Sequence, residues 1–258
     1  MAAIKDKQNS EILHIPTVMG AVVVTYNFPA AGKDLKLTPD VLAKIFLGQI
    51  TKWNDKEITS INPGKNLPDE LIIVVHRSDG SGTTSIFTDY LNKVSKTWSL
   101  NVGMGTSVNW PVGLGGKGNE GVAGLVKQSE GVIGYVELAY AVKNGLPYAS
   151  LKNKDGYFVE PTFEAVSAAA AGSSKDMPED LRVSLTNASG KDAYPISGFT
   201  WLLIYKNMRD KSKAKEIVKF LTWAMKDGQA FAKDLYYAPL PSEVVKMCEK
   251  KIKSIVTE

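Results

Sequence analysis

Short apolar runs alternate with polar or glycine-rich turns along the chain, and the pattern is clearest between residues 71 and 98. The run Leu71–Val75 consists of five apolar residues and predicts a buried strand. From Thr83 onward, apolar residues recur at helical spacing and predict a helix ending near Trp98: Ile86, Phe87, Tyr90, Leu91 and Val94. In the polar turn before this helix, either Ser81 or Thr83 can serve as its N-cap. The stretch is therefore predicted to be a strand, a tight turn and a helix N-terminus.

The same alternation extends to both ends of the chain. Runs rich in β-branched residues predict further strands: residues 12–28 (one bent strand or two), 131–138 and 199–205. Helical spacing predicts further helices: residues 39–47, 120–128 and 164–171. Thr38 is predicted to cap the first of these, Ser212 and Ser242 to cap two C-terminal helices, and residues 172–180 to form a polar loop. Strands that alternate with helices predict an α/β architecture.

The turn after the strand has the composition of an oxyanion site. The first N–H groups of a helix have no partner within the helix, and the helix dipole adds partial positive charge there. Gly80 and Gly82 allow a ligand to approach the backbone and permit positive φ. Ser81 and Thr83 offer hydroxyl donors, and Arg77 offers a planar fork of N–H groups that matches an oxyanion. A tetrahedral oxyanion bound at this helix start is the functional hypothesis.

Two other interpretations of this turn remain open. It is also compatible with an ordinary capped helix in which Arg77 pairs with Asp79. A hydrolase or phosphatase would instead use Ser81 as a nucleophile with His76 as its base. The pattern G-x-S-x-G is absent, because Asp79 stands where the first glycine would be, so we rank hydrolysis below binding.

Composition and charge exclude several classes of protein. The chain has 258 residues, 44% of them hydrophobic, which suffices for one large domain or two lobes. The net charge of +4 comes from scattered lysines and does not indicate nucleic-acid binding. Cys248 is the single cysteine, so no internal disulfide forms. No apolar run is long enough to span a membrane, and the first residues lack the apolar core of a secretory signal.

Other candidate chemistry is weak. Asp79, Glu120 and Glu137 do not have metal-ligand spacing, and nothing indicates a cofactor. Three glycines formally match the dinucleotide pattern G-x-G-x-x-G, but no strand leads directly into them: Gly113, Gly115 and Gly118. His14 lies in an apolar run, which indicates packing rather than metal binding. The tryptophans are not interleaved with basic clusters, so we expect all five to pack in the core or in a lobe: Trp53, Trp98, Trp110, Trp201 and Trp223.

Five blocks of sequence together resemble one family. They occur in this order: residues 38–55 (TPDVLAKIFLGQITKWND), 76–84 (HRSDGSGTT), 113–122 (GLGGKGNEGV), 134–137 (GYVE) and 194–198 (YPISG). In order and spacing they resemble the phosphate-binding proteins of bacterial ABC phosphate transporters, from near residue 12 to the C-terminus. The combination is far more specific than any one block.

The resemblance implies a fold, a ligand and partners. The fold is a two-lobe, periplasmic-binding-protein-like (type II) α/β fold. Residues 1–20 and 196–258 would form lobe one, and residues 21–195 would form lobe two. Inorganic phosphate would bind in the cleft between the lobes and pass to the membrane permease of an ABC importer. The protein would be a periplasmic or otherwise extracytoplasmic monomer that is not an enzyme.

The family also implies which residues hold phosphate. Carried over to this chain, Arg77 gives charge-assisted hydrogen bonds, and Ser81, Gly82 and Thr83 give hydroxyl and backbone donors. Asp79 would pair with Arg77 and fix its orientation. Lobe one would be incomplete, because the family has an N-terminal segment that carries further ligands, among them an Asp that accepts a proton from phosphate. Without that segment we expect weakened phosphate binding and poor discrimination against sulfate.

Overall fold

The computed structural model describes residues 10–173 and 177–258. Its strands are β1 (Ile12–Asn27), β2 (Lys36–Leu37), β3 (Ile73–Arg77), β4 (Leu114–Gly116), β5 (Val132–Glu137), β6 (Ser150–Lys152), β7 (Phe158–Val159) and β8 (Ser197–Tyr205). Its α-helices are α1 (Pro39–Phe46), α2 (Lys56–Ile61), α3 (Gly82–Val94), α4 (Lys96–Asn101), α5 (Gly118–Gln128), α6 (Leu138–Asn144), α7 (Phe163–Ser173), α8 (Lys211–Met225) and α9 (Ser242–Lys253). The predicted α/β alternation is confirmed. The start of predicted lobe one and part of the predicted loop at 172–180 lie outside the described residues.

Strand β1 organises the larger sheet, whose strand order is β4-β3-β5-β1-β8. Residues 12–21 of β1 pair antiparallel with β8, and residues 22–27 pair antiparallel with β5. The register shifts between Pro16 and Val18. Since proline has no N–H to give to the ladder, an irregularity there is expected. Of the two alternatives for residues 12–28, one irregular strand is correct.

Strand β3 lies inside this sheet, parallel to both β4 and β5. Parallel neighbours point their C-terminal ends to the same edge, so the turns after β3 and β4 meet there. Helix α3 begins after the first turn and α5 after the second. The strand begins at Ile73 rather than Leu71, and both side chains are exposed, at 40% and 65%. The predicted buried strand is therefore wrong at its first residues, where the chain approaches the sheet from solvent.

An aromatic cluster lies beneath the turn between β3 and α3. The Phe87 ring stacks on Tyr135 with a centroid distance of 4.2 Å, and Phe46 packs against both. The Trp110 ring stacks on Tyr135 at 5.6 Å and on His76 at 4.7 Å. Phe46, Phe87 and Tyr135 are fully buried. The turn thus stands on a tightly packed apolar base, on which polar groups need hydrogen-bond partners.

The expectation that every tryptophan packs in the interior is wrong for one of them. Trp53 and Trp98 are fully buried, whereas Trp223 on α8 is 46% exposed. The Trp223 ring lies beside the exposed rings of Phe220 and Phe231, with centroid distances of 6.0 and 6.1 Å. A helical apolar pattern identifies neighbours on a helix face but does not show that the face is covered. Among the described residues, no helix is long and apolar enough to cross a membrane.

The predicted helix after the turn is two helices. Helix α3 ends at Val94, and α4 begins two residues later. Ser95 separates them: its N–H is bonded to the carbonyl of Leu91, and its hydroxyl accepts from the N–H of Trp98. The continuous apolar pattern concealed this break, because a Ser in extended conformation can end one helix and cap the next.

Both C-terminal caps were predicted at the wrong residue. Helix α8 is capped by Asp210, whose Oδ1 accepts from the N–H of Lys213 at 2.9 Å, and Ser212 lies inside the helix. In α9, Ser242 is the first helical residue, and Pro241 holds the N-cap position without a side-chain hydrogen bond. By contrast, the predicted cap of α1 by Thr38 is confirmed.

The two candidate caps of α8 make a matched pair for mutation. We expect Asp210→Ala to lower the free energy of unfolding by about 1 kcal/mol, because the N–H of Lys213 loses its acceptor. Ser212→Ala should leave it unchanged or slightly higher, because alanine has the better helix propensity. Urea denaturation measures both. Equal effects, or a larger effect of Ser212→Ala, would contradict the observed cap.

Candidate functional site

The candidate site is built on the turn between β3 and α3. Ser81 has extended backbone angles, and its Oγ accepts from the N–H of Thr84 at 3.1 Å, so Ser81 rather than Thr83 is the N-cap. The turn is also fixed from outside. The N–H of Ser81 donates to the carbonyl of Thr106, and that of Ser78 donates to the carbonyl of Gly116. The first turn of α3 is therefore held in one position, with its N–H groups free of helical partners.

Arg77 and Asp79 form a bidentate ion pair within this turn. Nε and Nη2 of Arg77 donate to Oδ1 and Oδ2 of Asp79 at 2.8 and 2.6 Å. Oδ1 of Asp79 also accepts from the N–H of Gly118, the first residue of α5. The Arg77 side chain is only 9% exposed. Two of its five N–H groups are used by this pair, which leaves the other three in the fork for other acceptors.

The pair is electrostatically stable. Hydrogen bonding by the Arg77 guanidinium, aided by the Gly118 N–H, holds the pKa of Asp79 well below its usual range. The same hydrogen bond to Asp79 raises the pKa of Arg77. Both groups therefore remain charged at neutral pH, and the planar fork keeps one orientation.

Tyr135 on β5 links the two ends of the turn from below. Its hydroxyl accepts from the N–H of Arg77 at 3.2 Å and hydrogen-bonds the hydroxyl of Thr84 at 2.7 Å. Burial raises the pKa of Tyr135 to about 12. The neutral phenol thereby satisfies polar groups of both β3 and α3 on the apolar base, a role that the sequence did not reveal.

Of the two roles expected for Gly80 and Gly82, positive φ is wrong, whereas room for a ligand beside the backbone agrees with the structure. Neither Gly80 nor Gly82 has a positive φ. A Cβ added at either position would meet no protein atom within 4 Å. Both glycines border open space, so the free volume beside their backbone is available to a ligand.

That open space belongs to a cavity of about 470 Å³. The predicted ligands and Gly80 line it: Arg77, Gly80, Ser81, Gly82 and Thr83. Further lining residues come from the first part of β1, the start of β8 and the C-terminal segment: Gly20, Gly198, Phe199, Thr200, Trp201 and Tyr237. All four predicted ligand positions therefore face one cavity, while Asp79 stands behind Arg77 and orients it.

Sequence reasoning missed five further polar residues of the cavity, Asn119, Glu137, Tyr140, Thr200 and Tyr237. Glu137 had been considered only as a metal ligand. Its Oε2 accepts from the N–H of Ala139 at 3.2 Å, whereas its buried Oε1 has no hydrogen-bond partner among the described residues. Burial raises the pKa of Glu137 to about 7, although the N–H of Ala139 and the Tyr237 hydroxyl partly offset this shift. The carboxyl is therefore near the midpoint of its titration at neutral pH.

The hydrolase interpretation gains nothing from the geometry. Ser81 is 4% exposed, and its Oγ caps α3. Nδ1 of His76 lies 3.0 Å from the carbonyl oxygen of Arg77, and the ring stacks on Trp110. Ser81 and His76 do not hydrogen-bond each other, so they do not form a nucleophile–base pair. Within residues 10–173 and 177–258, no three His, Cys, Asp or Glu side chains are grouped as metal ligands.

Comparison with protein families places the chain in a class. The model of the PBP superfamily domain matches residues 2–227. The fold is thus that of a periplasmic binding protein, a class in which a cleft binds a solute.

Relatives narrow the class. The chain is 47% identical over 248 residues to the phosphate-binding protein PstS of Pasteurella multocida, which covers 95% of this chain and 72% of that protein. It is 48% identical over 236 residues to PstS of Xylella fastidiosa, covering 91% of this chain and 65% of that protein. The chain therefore belongs to the PstS family of phosphate-binding proteins. It spans about two thirds to three quarters of the length of these relatives.

Solved structures show the same fold. A high-affinity periplasmic phosphate-binding protein solved with bound phosphate superposes with a TM-score of 0.73 at 22% identity, covering 95% of this chain and 73% of that one. A putative phosphate ABC transporter substrate-binding protein from Clostridium perfringens, also with bound phosphate, gives 0.59 at 19% identity, covering 89% and 72%. The predicted periplasmic-binding-protein-like fold is confirmed.

The shifted pKa of Glu137 predicts a pH-dependent penalty on stability. Between the unfolded value of 4.5 and the folded value of about 7, the folded protein binds more protons than the unfolded chain, so stability falls as pH rises through this window. Glu137→Gln removes the penalty. We expect it to raise the free energy of unfolding by about 2 kcal/mol at pH 8 and to have little effect at pH 4.

Urea denaturation at the two pH values measures this difference. Glu130→Gln, at an exposed position just before β5, is the control and should change little at either pH. A Glu137→Gln effect of equal size at pH 4 and pH 8 would show that Glu137 carries no such penalty.

Proposed function

We propose that this chain binds inorganic phosphate in the cavity and is the solute-binding component of an ABC importer. Arg77 donates charge-assisted hydrogen bonds from the N–H groups that Asp79 leaves free. Ser81, Gly82 and Thr83 donate from hydroxyl and backbone groups at the N-terminus of α3. Asp79 is a supporting residue that does not contact the anion.

One observation carries this proposal: the bidentate Arg77–Asp79 pair fixes a nearly buried guanidinium beside the start of α3. A preorganised cation next to free backbone N–H groups binds a small oxyanion with little reorganisation. The names of the relatives supply the choice of phosphate among oxyanions.

The wider role follows from the class of protein. We infer that residues 21–195 form one lobe, that residues 1–20 and 196–258 form the other, and that the cavity lies between them. The change of β1 from β8 to β5 as its partner at residue 22 supports this boundary. The protein acts outside the cytoplasmic membrane as a monomer, hands phosphate to a membrane permease, and releases it chemically unchanged, so it is not an enzyme.

A lysine substitution tests the role of the arginine fork. Arg77→Lys keeps the positive charge but loses the planar bidentate geometry. We expect phosphate affinity to fall about tenfold or more, as for the loss of a charge-assisted hydrogen bond. Isothermal titration calorimetry with phosphate measures this affinity. The same titration of the wild type with sulfate tests the expected poor discrimination between phosphate and sulfate.

The chain contains a matched control for that substitution. Arg182 also pairs with an aspartate two residues away: its Nε and Nη2 lie 2.8 and 2.7 Å from Oδ2 of Asp180, and neither residue lines the cavity. Arg182→Lys should leave phosphate affinity within about twofold of the wild type. Phosphate affinity that is unchanged in Arg77→Lys, or equally reduced in both variants, would refute the assigned role.

The backbone of Gly82 provides a second test. Because an added Cβ meets no protein atom, Gly82→Ala should keep or slightly raise the melting temperature. The same methyl group intrudes where the anion approaches the backbone, so we expect phosphate affinity to fall roughly tenfold. Gly124→Ala in α5, where an added Cβ also meets nothing within 4 Å, is the control. Unchanged affinity in Gly82→Ala would place the anion elsewhere.

A further inference from the structure

Asn119 lies at the start of α5, beside the anion turn but on a different element. It is the second residue of that helix, and it lines the same cavity as Thr83 and Glu137. Its side chain spans the two: Oδ1 accepts from the backbone N–H of Glu137 at 3.3 Å, and Nδ2 donates to Oγ1 of Thr83 at 3.4 Å.

The chemistry of these partners fixes which way the amide faces. A backbone N–H only donates, so the Asn119 atom that faces Glu137 must be the oxygen. The NH₂ group therefore faces Thr83. An amide nitrogen does not accept hydrogen bonds, so the Thr83 hydroxyl can only be the acceptor in this contact.

The consequence concerns the hydroxyl proton of Thr83. A hydroxyl has one proton to donate and lone pairs that accept. Within the described residues, the Thr83 hydroxyl makes one hydrogen bond, which it accepts from Asn119. The neighbouring hydroxyl of Thr84 is instead engaged with Tyr135. The proton of Thr83 is thus left for a group in the cavity.

We propose that Asn119 is a positioning residue of the anion site, which holds the Thr83 hydroxyl as an acceptor so that its proton is donated to the bound oxyanion. This inference rests on the proposed function, because the bound oxyanion is phosphate. A donor whose orientation is set before binding loses less rotational freedom when the ligand arrives. Asn119 acts through Thr83 and needs no contact with the anion.

A double-mutant cycle tests the coupling. By calorimetry with phosphate, we expect Asn119→Ala to weaken binding about threefold to tenfold in the wild-type background. In the Thr83→Val background, which lacks the hydroxyl, Asn119→Ala should change affinity by less than about twofold. An equal loss in both backgrounds would overturn the proposal, since Asn119 would then act without Thr83.

Two further variants separate positioning from a structural role. In Asn119→Asp, a carboxylate oxygen would accept the Thr83 proton and add negative charge, so the loss should exceed that of Asn119→Ala. Asn27→Ala is the control, because Asn27 Nδ2 donates to the carbonyl of Lys127 near the other end of α5. Asn27→Ala should leave affinity unchanged. A loss there as large as in Asn119→Ala would indicate a general effect of α5 and contradict positioning.

A measurement without ligand separates this inference from the proposed function. In ¹H–¹⁵N spectra of the free protein, Thr83→Val should shift the side-chain amide resonances of Asn119, because their acceptor is lost. Unshifted resonances would overturn the inference whatever the phosphate result. If Thr83→Val produces the shift but the wild type binds no phosphate, the proposed function fails and the hydrogen bond is supported.

Discussion

The buried hydroxyl of Tyr135 is the contact on which the candidate site depends. Strand β3 ends and α3 begins only a few residues apart, so their polar backbone groups crowd onto the aromatic base formed by Phe46 and Phe87. An unpaired N–H there would carry the full cost of desolvation. The phenol removes that cost for Arg77 and also engages Thr84. One residue on a neighbouring strand therefore links the end of β3 to the first turn of α3, and Asp79 and the backbone bonds of Ser78 and Ser81 complete the positioning.

The ion pair above this base shows how the turn can be both charged and rigid. Asp79 neutralises Arg77 and at the same time accepts from the N–H of Gly118 at the start of α5. The carboxylate thus stabilises a second helix N-terminus while it orients the guanidinium. The donors that remain for a ligand are the unused guanidinium N–H groups and the N–H groups in the first turn of α3. Both sets border the cavity, so a ligand must meet them in a defined orientation. Selectivity for a small oxyanion then comes from geometry more than from net charge.

The sequence predicted those features whose partners lie a few residues apart. The cap of α1 by Thr38, the cap of α3 by one of Ser81 and Thr83, and the pairing of Arg77 with Asp79 are all local, and the structure selects Ser81. The cap of α8 was missed although Asp210 is equally local, because Asp and Ser are both good caps and only the start of the helix chooses between them. The prediction of positive φ at Gly80 and Gly82 was wrong for a related reason, since glycine permits positive φ but does not require it.

Contacts between distant residues could not be predicted in this way. Tyr135 lies 58 residues from Arg77, and Asn119 lies 36 residues from Thr83. No periodicity relates such pairs, because the order of strands in the sheet brings them together. Asn119 and Glu137 both lie in blocks of sequence that carry the family resemblance. The resemblance marked these blocks as characteristic of the family but did not indicate which residues they contact.

The titration of Glu137 completes the electrostatic description of the cavity. An ionised carboxylate in the cavity wall would repel an anion bound there. Burial opposes ionisation, with the result that the carboxyl carries only part of a charge near neutral pH. Its location is also significant, because Glu137 pairs with Val22, the β1 residue at which β5 replaces β8 as the partner strand. Glu137 thus lines the cavity and also lies where the two parts of the sheet join.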